Sequence, residues 1–366
     1  MDPSKISAIP TLLNKYRSNL AHPKRMANAA GAQLYTLPQR PAKAPTGVLS
    51  AQIEITLRCN LSCPMCESPF IRETVGDMTL DMFKKVVDGM PTLMSINLTG
   101  IGESLLNKDV FDMIAYAKKK GIYLWFTTNG TLLVEKVNRR LIELEVDELV
   151  ISFDAAEPEI FKRIRLGATF EQVTENLRQF VKLRKEMGKT KPRLSFGNTL
   201  VRDNLQDAPK IVQIAADIGI DKVIVGANLL LLDAPESVIN PDTPKPTEEQ
   251  IRATMAEAQK IGKERGVEVI VADYMGMGST PEMCDCIKPW TTCYILKDGS
   301  VFPCCEVTQR RMARKDMVKL ALGNCVERPF YEIWNEKQYQ NLRDGITRDL
   351  NKRYEFCRTC MRCRRK

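Results

Sequence analysis

From Gly47 onward the chain switches repeatedly between two hydrophobic rhythms. Alternating or short solid apolar runs occur at Ala51–Leu57, Leu93–Thr99, Ile122–Thr127, Glu148–Phe153, Arg193–Leu200 and Lys222–Val225. Each suits a strand. Between them lie stretches with apolar residues three and four apart: Leu80–Met90, Lys108–Lys119, Val134–Glu143, Phe170–Met187 and Asp207–Ile218. This spacing predicts helices with one buried face. Strands alternating with helices imply an α/β fold: a parallel sheet with right-handed crossovers. Such sheets bind ligands at the carboxyl ends of their strands. The loops that follow the strands are therefore the place to look for chemistry.

The flanks read differently. Residues 1 to 46 form an N-terminal arm. Ile6–Ala30 suits a helix with Ile9, Leu12, Leu13, Tyr16 and Leu20 on one side, followed by an extended link broken by Pro38, Pro41 and Pro45. The single histidine, His22, falls in this arm and is read as a surface or packing residue. After the last crossover, Leu229–Pro246 reads as a long loop near the ligand face. A helix over Thr247–Arg265, capped by Thr247, and a strand over Val267–Ala272 come next. Tyr274–Gly278 then reads as a hinge to a C-terminal region. The expected division is 1–46, 47–275 and 276–366.

Composition narrows the function classes. The hydrophobic fraction, 44%, is that of an ordinary globular chain. No apolar run reaches the roughly 18 residues of a membrane span, and the first residues do not read as a secretory signal. The net charge of +9 favours anionic partners. It is not gathered into a patch, apart from Arg362, Arg364, Arg365 and Lys366, so nucleic-acid binding is not expected. The 12 cysteines fall into two groups, Cys59–Cys66 and Cys284–Cys363. A disulfide framework would be more evenly spread and needs an oxidising compartment. Metal-bound thiolates in a reducing cytoplasm fit better.

The first group is Cys59-Asn60-Leu61-Ser62-Cys63-Pro64-Met65-Cys66, a C-x3-C-x2-C loop directly after the first strand. Closely spaced thiolates select zinc or iron–sulfur clusters. Three ligands without a fourth nearby leave one metal position open, although spacing alone also allows a zinc knuckle. The loop resembles the signature of the radical S-adenosylmethionine (SAM) enzymes. The resemblance implies a partial (β/α)6 radical SAM barrel and a [4Fe–4S] cluster on Cys59, Cys63 and Cys66. The unique iron would bind SAM and cleave it to a 5′-deoxyadenosyl radical, using an electron donor such as flavodoxin or ferredoxin.

Later strand ends resemble the family's SAM contacts. Thr99-Gly100-Ile101-Gly102-Glu103-Ser104 is similar to the G-G-E-P motif, with Ile101 in place of a glycine and Ser104 in place of the proline. The role of binding the SAM amino group passes to Gly102 and Glu103. Thr127-Thr128-Asn129-Gly130 resembles the T-N-G run beneath adenosine, which implicates Thr128 and Asn129. Ser152-Phe153-Asp154 resembles the S-x-D strand end, with Ser152 at the ribose or carboxylate and Asp154 toward the same cavity. Arg165-Leu166-Gly167 resembles the R-x-G stretch, whose arginine grips the SAM carboxylate. Asn198 is a further candidate contact. Taken singly, each stretch also reads as a plain turn or a solvated helix end.

The second group contains Cys286, with twelve residues between it and Gly299 and four between Gly299 and Cys304, followed by Cys357-Arg358-Thr359-Cys360. Asp298-Gly299 between apolar runs predicts a hairpin. The pattern resembles the C-terminal auxiliary-cluster domains called SPASM and the shorter twitch form, here expected as a small α+β unit. Carried over, Cys286, Cys304, Cys357 and Cys360 would hold a second, auxiliary [4Fe–4S] cluster, twitch-like in having a single cluster. Cys284, Cys293, Cys305, Cys325 and Cys363 are left over, and each reads first as a buried small apolar residue. The alternatives are that one replaces a ligand (Cys305 for Cys304, or Cys363 for Cys360) or serves as a hydrogen-atom donor. The resulting expectation is an oxidoreductase or epimerase acting on a small polar substrate: a sugar, an aminocyclitol or a phosphorylated compound. The alternatives are a maturase acting on a peptide or protein, and a non-enzymatic iron–sulfur or zinc scaffold.

Overall fold

The computed structural model describes residues 22–36, 40–66, 76–229, 243–271, 286–306, 312–348, 354 and 357. Its frame is a sheet of nine strands: β1 (Ser50–Ile53), β2 (Ser95–Asn97), β3 (Tyr123–Thr128), β4 (Glu148–Ser152), β5 (Arg193–Leu200), β6 (Lys222–Leu229), β7 (Glu268–Val271), β8 (Thr292–Ile295) and β9 (Val301–Phe302). The spatial order is β7-β6-β5-β4-β3-β2-β1-β8-β9. Neighbours run parallel except in the β8–β9 hairpin. The sheet is open, a partial barrel with β7 and β9 at its edges.

Twelve helices among the described residues join or flank these strands: α1 (Pro23–Gly31), α2 (Leu80–Asp88), α3 (Val110–Lys119), α4 (Glu135–Glu143), α5 (Pro158–Ile164), α6 (Phe170–Glu186), α7 (Ala208–Ile218), α8 (Glu248–Arg265), α9 (Lys288–Thr291), α10 (Arg314–Val318), α11 (Phe330–Ile333) and α12 (Lys337–Thr347). Local chemistry sets several starts. Thr79 and Thr169 accept the first free N–H groups of α2 and α6, and Thr247 with Gln250 forms a capping box on α8. Helices on the sheet bury both faces of its central strands, so these read as solid apolar runs rather than alternating ones. Leu149, Ile151, Leu194 and Phe196 are fully buried. Phe153 stacks on Phe196 with ring centres 4.4 Å apart. None of the described helices is long and apolar enough to cross a membrane.

The first strand is shorter than its pattern. Its ladder ends at Ile53, with Glu54 N still donating to Ile295 O of β8 (2.9 Å). Beyond it the chain turns to other partners, Ile55 O accepting from Met78 N (2.9 Å) and Thr56 bridging Asp77. This departure carries the chain into the cysteine loop. The expected hairpin is present as β8–β9, but β8 also pairs in parallel with β1 along its whole length. The C-terminal region thus continues the main sheet.

The arm is clasped by the same C-terminal region. Of the helix expected over Ile6–Ala30, only the end from Pro23 falls among the described residues. Further on, Trp290 Nε1 donates to Pro41 O (2.7 Å), Trp334 Nε1 to Thr46 O (2.7 Å) and Asn335 Nδ2 to Ala44 O (2.8 Å). Residues 40–46 are therefore a strap whose carbonyls are satisfied by side chains about 250 to 290 positions away. The expected hinge at Tyr274–Gly278, most of the loop over Leu229–Pro246, and Cys284, Cys360 and Cys363 lie outside the described residues.

Candidate radical SAM site

The cysteine loop lies at the carboxyl end of β1. Cys66 N donates to Cys63 O (3.0 Å) and Leu61 N to Cys59 Sγ (3.4 Å), giving the loop a tight turn around its thiols. Cys63 is buried, Cys66 half-buried and Cys59 exposed. The three thiols lie within electrostatic reach of one another. Burial raises the pKa of Cys59 and Cys63, and the Arg165 guanidinium pulls Cys63 back down.

Three strand-end segments hold this loop. Glycine 102 sits where a Cβ would lie 2.6 Å from the carbonyl oxygens of Arg58 and Thr56. Its bareness lets the β2 loop lie flat against the start of the cysteine loop, fixed by Glu103 N donating to Arg58 O (2.8 Å). The Glu103 carboxylate, 3% exposed, accepts from Asn129 N (2.8 Å), Thr128 Oγ1 (3.0 Å) and Leu105 N (3.3 Å). Burial nonetheless pushes its pKa up, against the pull of those donors and of Arg165. Ser104, where the family has proline, donates to Leu98 O (2.7 Å) and closes the turn by other means.

The Asn129 side chain reaches the cysteine loop directly. Its Nδ2 donates to Asn60 Oδ1 (2.9 Å), while Asn60 Nδ2 donates to Thr131 Oγ1 (2.8 Å). On the far side, Ser62 N donates to Leu166 O (2.9 Å). Gly167, at φ 103°, packs where a Cβ would meet Leu61 Cδ2 at 3.0 Å. Arg165 Nη1 lies 3.9 Å from Cys63 Sγ. Its guanidinium is also paired with Asp154.

Asp154 is fully buried, and both its oxygens are engaged: one by Arg165, the other by Thr199 N at 2.6 Å. Its direct partner is thus Arg165 rather than an open cavity. Arg163 is exposed and paired with Asp203, away from the cysteines. Ser152 ends β4, half-buried opposite Gly197. Asn198, near the end of β5 where the ladder bulges, accepts from Gly226 N (2.6 Å), and its fully buried Nδ2 has no partner among the described residues. Such a donor is open to an acceptor on water or a ligand.

The second cysteine group is partly assembled. Cys304 lies within electrostatic reach of Cys286 and Cys305, and burial holds its thiol pKa far up, with Lys288 pulling the other way. Cys293 and Cys325 are 2% exposed each and sit in the core, as expected. Cys357 is buried in that same core, which Cys286 packs against. Sequence reasoning did not find Glu54. This fully buried carboxylate accepts from Tyr294 OH (3.1 Å) and pairs with buried Arg314, tying β1 to the C-terminal region.

Comparison with known proteins agrees with this geometry. The profile of the radical SAM superfamily matches residues 53–190, and that of the SPASM iron–sulfur cluster-binding domain matches 284–363. A tungsten-containing aldehyde ferredoxin oxidoreductase cofactor-modifying protein of Pyrococcus furiosus is 32% identical over 317 residues, covering 84% of this chain and 86% of the relative. The chain belongs to the radical SAM superfamily. An AdoMet-dependent heme synthase of Methanosarcina barkeri is 25% identical, with coverage of 85% and 89%. A PqqA peptide cyclase of Granulibacter bethesdensis is 27% identical, with coverage of 71% and 67%. Streptococcus suis SuiB bound to S-adenosylmethionine shares the fold at TM-score 0.61 and 14% identity, over 87% of this chain and 72% of that one.

As a member of this superfamily with a SPASM domain, the enzyme uses a [4Fe–4S] cluster and SAM, with auxiliary iron–sulfur binding in the C-terminal region. The residues fit these groups. Cys59, Cys63 and Cys66 offer three closely spaced soft donors, the kind of ligand a cubane takes one per iron. The buried Asn198 donor and the sealed Glu103 carboxylate add polar groups suited to a zwitterionic cofactor. Cluster and SAM together supply a hydrogen-abstracting 5′-deoxyadenosyl radical.

Proposed function

We propose that this radical SAM enzyme is a maturase that modifies a peptide, a protein or a protein-bound cofactor. The observation that carries the reading is the likeness to the cofactor-modifying protein, over more than four-fifths of both chains. The heme synthases and PqqA peptide cyclases support it, because their names describe cofactors and peptides rather than free sugars. The expected sugar or aminocyclitol substrate finds no counterpart among these relatives. A small anionic substrate, oxidised or epimerised, is the second reading, favoured by the net charge of +9.

In this proposal Cys59, Cys63 and Cys66 hold the SAM-binding cluster. Glu103 takes the SAM ammonium, with Gly102 allowing its close approach. Arg165 takes the carboxylate through its planar fork, and Asp154 acts as a positioning residue that holds Arg165. Ser152, Thr128, Asn129 and Asn198 serve the nucleoside part. Cys286, Cys304, Cys357 and Cys360 hold one auxiliary cluster.

The test uses deuterated extract of the source cells, divided into a peptide-and-protein fraction and a small-metabolite fraction. Each is incubated anaerobically with the reconstituted enzyme, SAM and dithionite. Deuterium entering 5′-deoxyadenosine from the peptide-and-protein fraction alone is the expected result. Transfer from the small-metabolite fraction alone would replace this reading with the second.

A further inference from the structure

The interior of the C-terminal region holds two polar side chains that are not fully paired among the described residues. Tyr339 is fully buried, and its hydroxyl has no hydrogen-bond partner among them. Arg343 is fully buried as well. Its Nε donates to Pro289 O (2.9 Å), and its Nη1 to Ala42 O (3.1 Å) and Asn335 Oδ1 (2.9 Å), while Nη2 has no partner. All these acceptors are neutral. The guanidinium lies over the rings of Trp334 (4.5 Å) and Tyr339 (5.0 Å), which soften its isolation without supplying an anion. Burial lowers the Arg343 pKa to about 10, a sign of a cation without a counter-charge.

The Tyr339 hydroxyl is within electrostatic reach of the core thiols of Cys293 and Cys325 and of one proposed auxiliary ligand, Cys304, and Arg343 lies over the Tyr339 ring. Pro289, the acceptor of Arg343, is three residues past Cys286. A buried cation and a buried hydroxyl donor, unmatched and side by side, call for a buried anion that accepts hydrogen bonds. An iron–sulfur cluster on four thiolates is one, since its thiolates outweigh the charge of its core.

We propose that Tyr339 and Arg343 serve the auxiliary iron–sulfur cluster, Tyr339 as a hydrogen-bond donor and Arg343 as a counter-charge, and that together they raise its reduction potential. This rests on the auxiliary cluster assigned above. Positive charge and hydrogen bonds at cluster sulfurs favour the more negative, reduced state. The same Arg343 also ties the strap at Ala42, so its effect on potential must be separated from its effect on folding.

The experiment uses the full chain with Cys59, Cys63 and Cys66 replaced by alanine, leaving the auxiliary cluster as the only one. Iron and sulfide are counted, and the midpoint potential is followed by electron paramagnetic resonance in the parent and in Y339F, R343Q and the double variant. The expected result is about four irons per chain throughout, with the midpoint moving to more negative values in each single variant and further in the double. Retained iron with an unchanged midpoint in Y339F and R343Q would overturn the proposal and leave Arg343 a structural staple. If R343Q loses its iron, Y339F decides, because phenylalanine fills the same space and removes only the hydroxyl. A parent without iron would overturn the auxiliary cluster itself, and the inference with it.

Discussion

Replacing Gly102 by alanine tests the reading of the site at its tightest point. The new Cβ would lie 2.6 Å from Arg58 O, 2.6 Å from Thr56 O and 2.9 Å from Leu57 C. All three are backbone atoms, so no side chain can swing aside. Ordinary contacts begin near 3.5 Å, and the β2 loop must retreat by about 0.6 to 0.9 Å. Such a retreat carries Glu103 with it and stretches its 2.8 Å bond from Asn129 N to the limit of a hydrogen bond. Losing one hydrogen bond to a charged group costs about 1.5–3 kcal/mol. If that loss falls on SAM binding, affinity drops roughly tenfold to a hundredfold. The assay is equilibrium SAM binding to reconstituted protein, with iron content matched between variants. G188A is the control: its φ is positive, 62°, but there is open space around the new methyl. It should lower stability slightly and leave SAM affinity alone. Wild-type SAM affinity in G102A would refute the assignment of this turn.

Three further outcomes follow from the geometry. R165K keeps the charge but loses the fork shared between Asp154 and Cys63; 5′-deoxyadenosine formation should fall at least about tenfold, as expected where planar recognition matters, while R163K at the exposed pair with Asp203 should leave it unchanged. R314M strands the buried Glu54 carboxylate, and denaturant unfolding should show a loss of about 3–5 kcal/mol, with the E54L/R314M double variant recovering most of it. Alanine at Cys59, Cys63 and Cys66 together should lower the iron content from about eight to about four per chain, since the remaining cubane has its own thiolates.

Much of the site was legible because its residues are local in sequence. The cysteine loop, the Gly102-Glu103 turn, Thr128-Asn129 and Arg165-Leu166-Gly167 each follow a strand, and parallel strands bring their carboxyl ends to one side. The strands themselves announced their period but not their neighbours. Hence the pairing of β8 with β1 was invisible: a short apolar run fits beside any exposed edge. The Glu54–Arg314 pair, 260 positions apart, was hidden for a similar reason, as a lone Glu and a lone Arg look like surface charges. Asp154 was read by its place in S-x-D, which could not reveal that Thr199 N and Arg165 occupy its oxygens. The strap was seen only as proline-broken sequence, since its stabilising donors are side chains of the far end of the chain.

The parallel pairing of β1 with β8 also constrains how the chain is made. Strand β1 emerges from the ribosome early, and β2 can pair with only one of its sides. Its other edge must wait for Thr292–Ile295, some 240 residues and at least about ten seconds of synthesis later. Throughout that interval the nascent chain presents a bare strand end leading straight into reactive thiols. The waiting edge is an opening for misassociation. A chain terminated before Thr292 would keep that edge permanently and should aggregate, whatever the completeness of its cysteine loop.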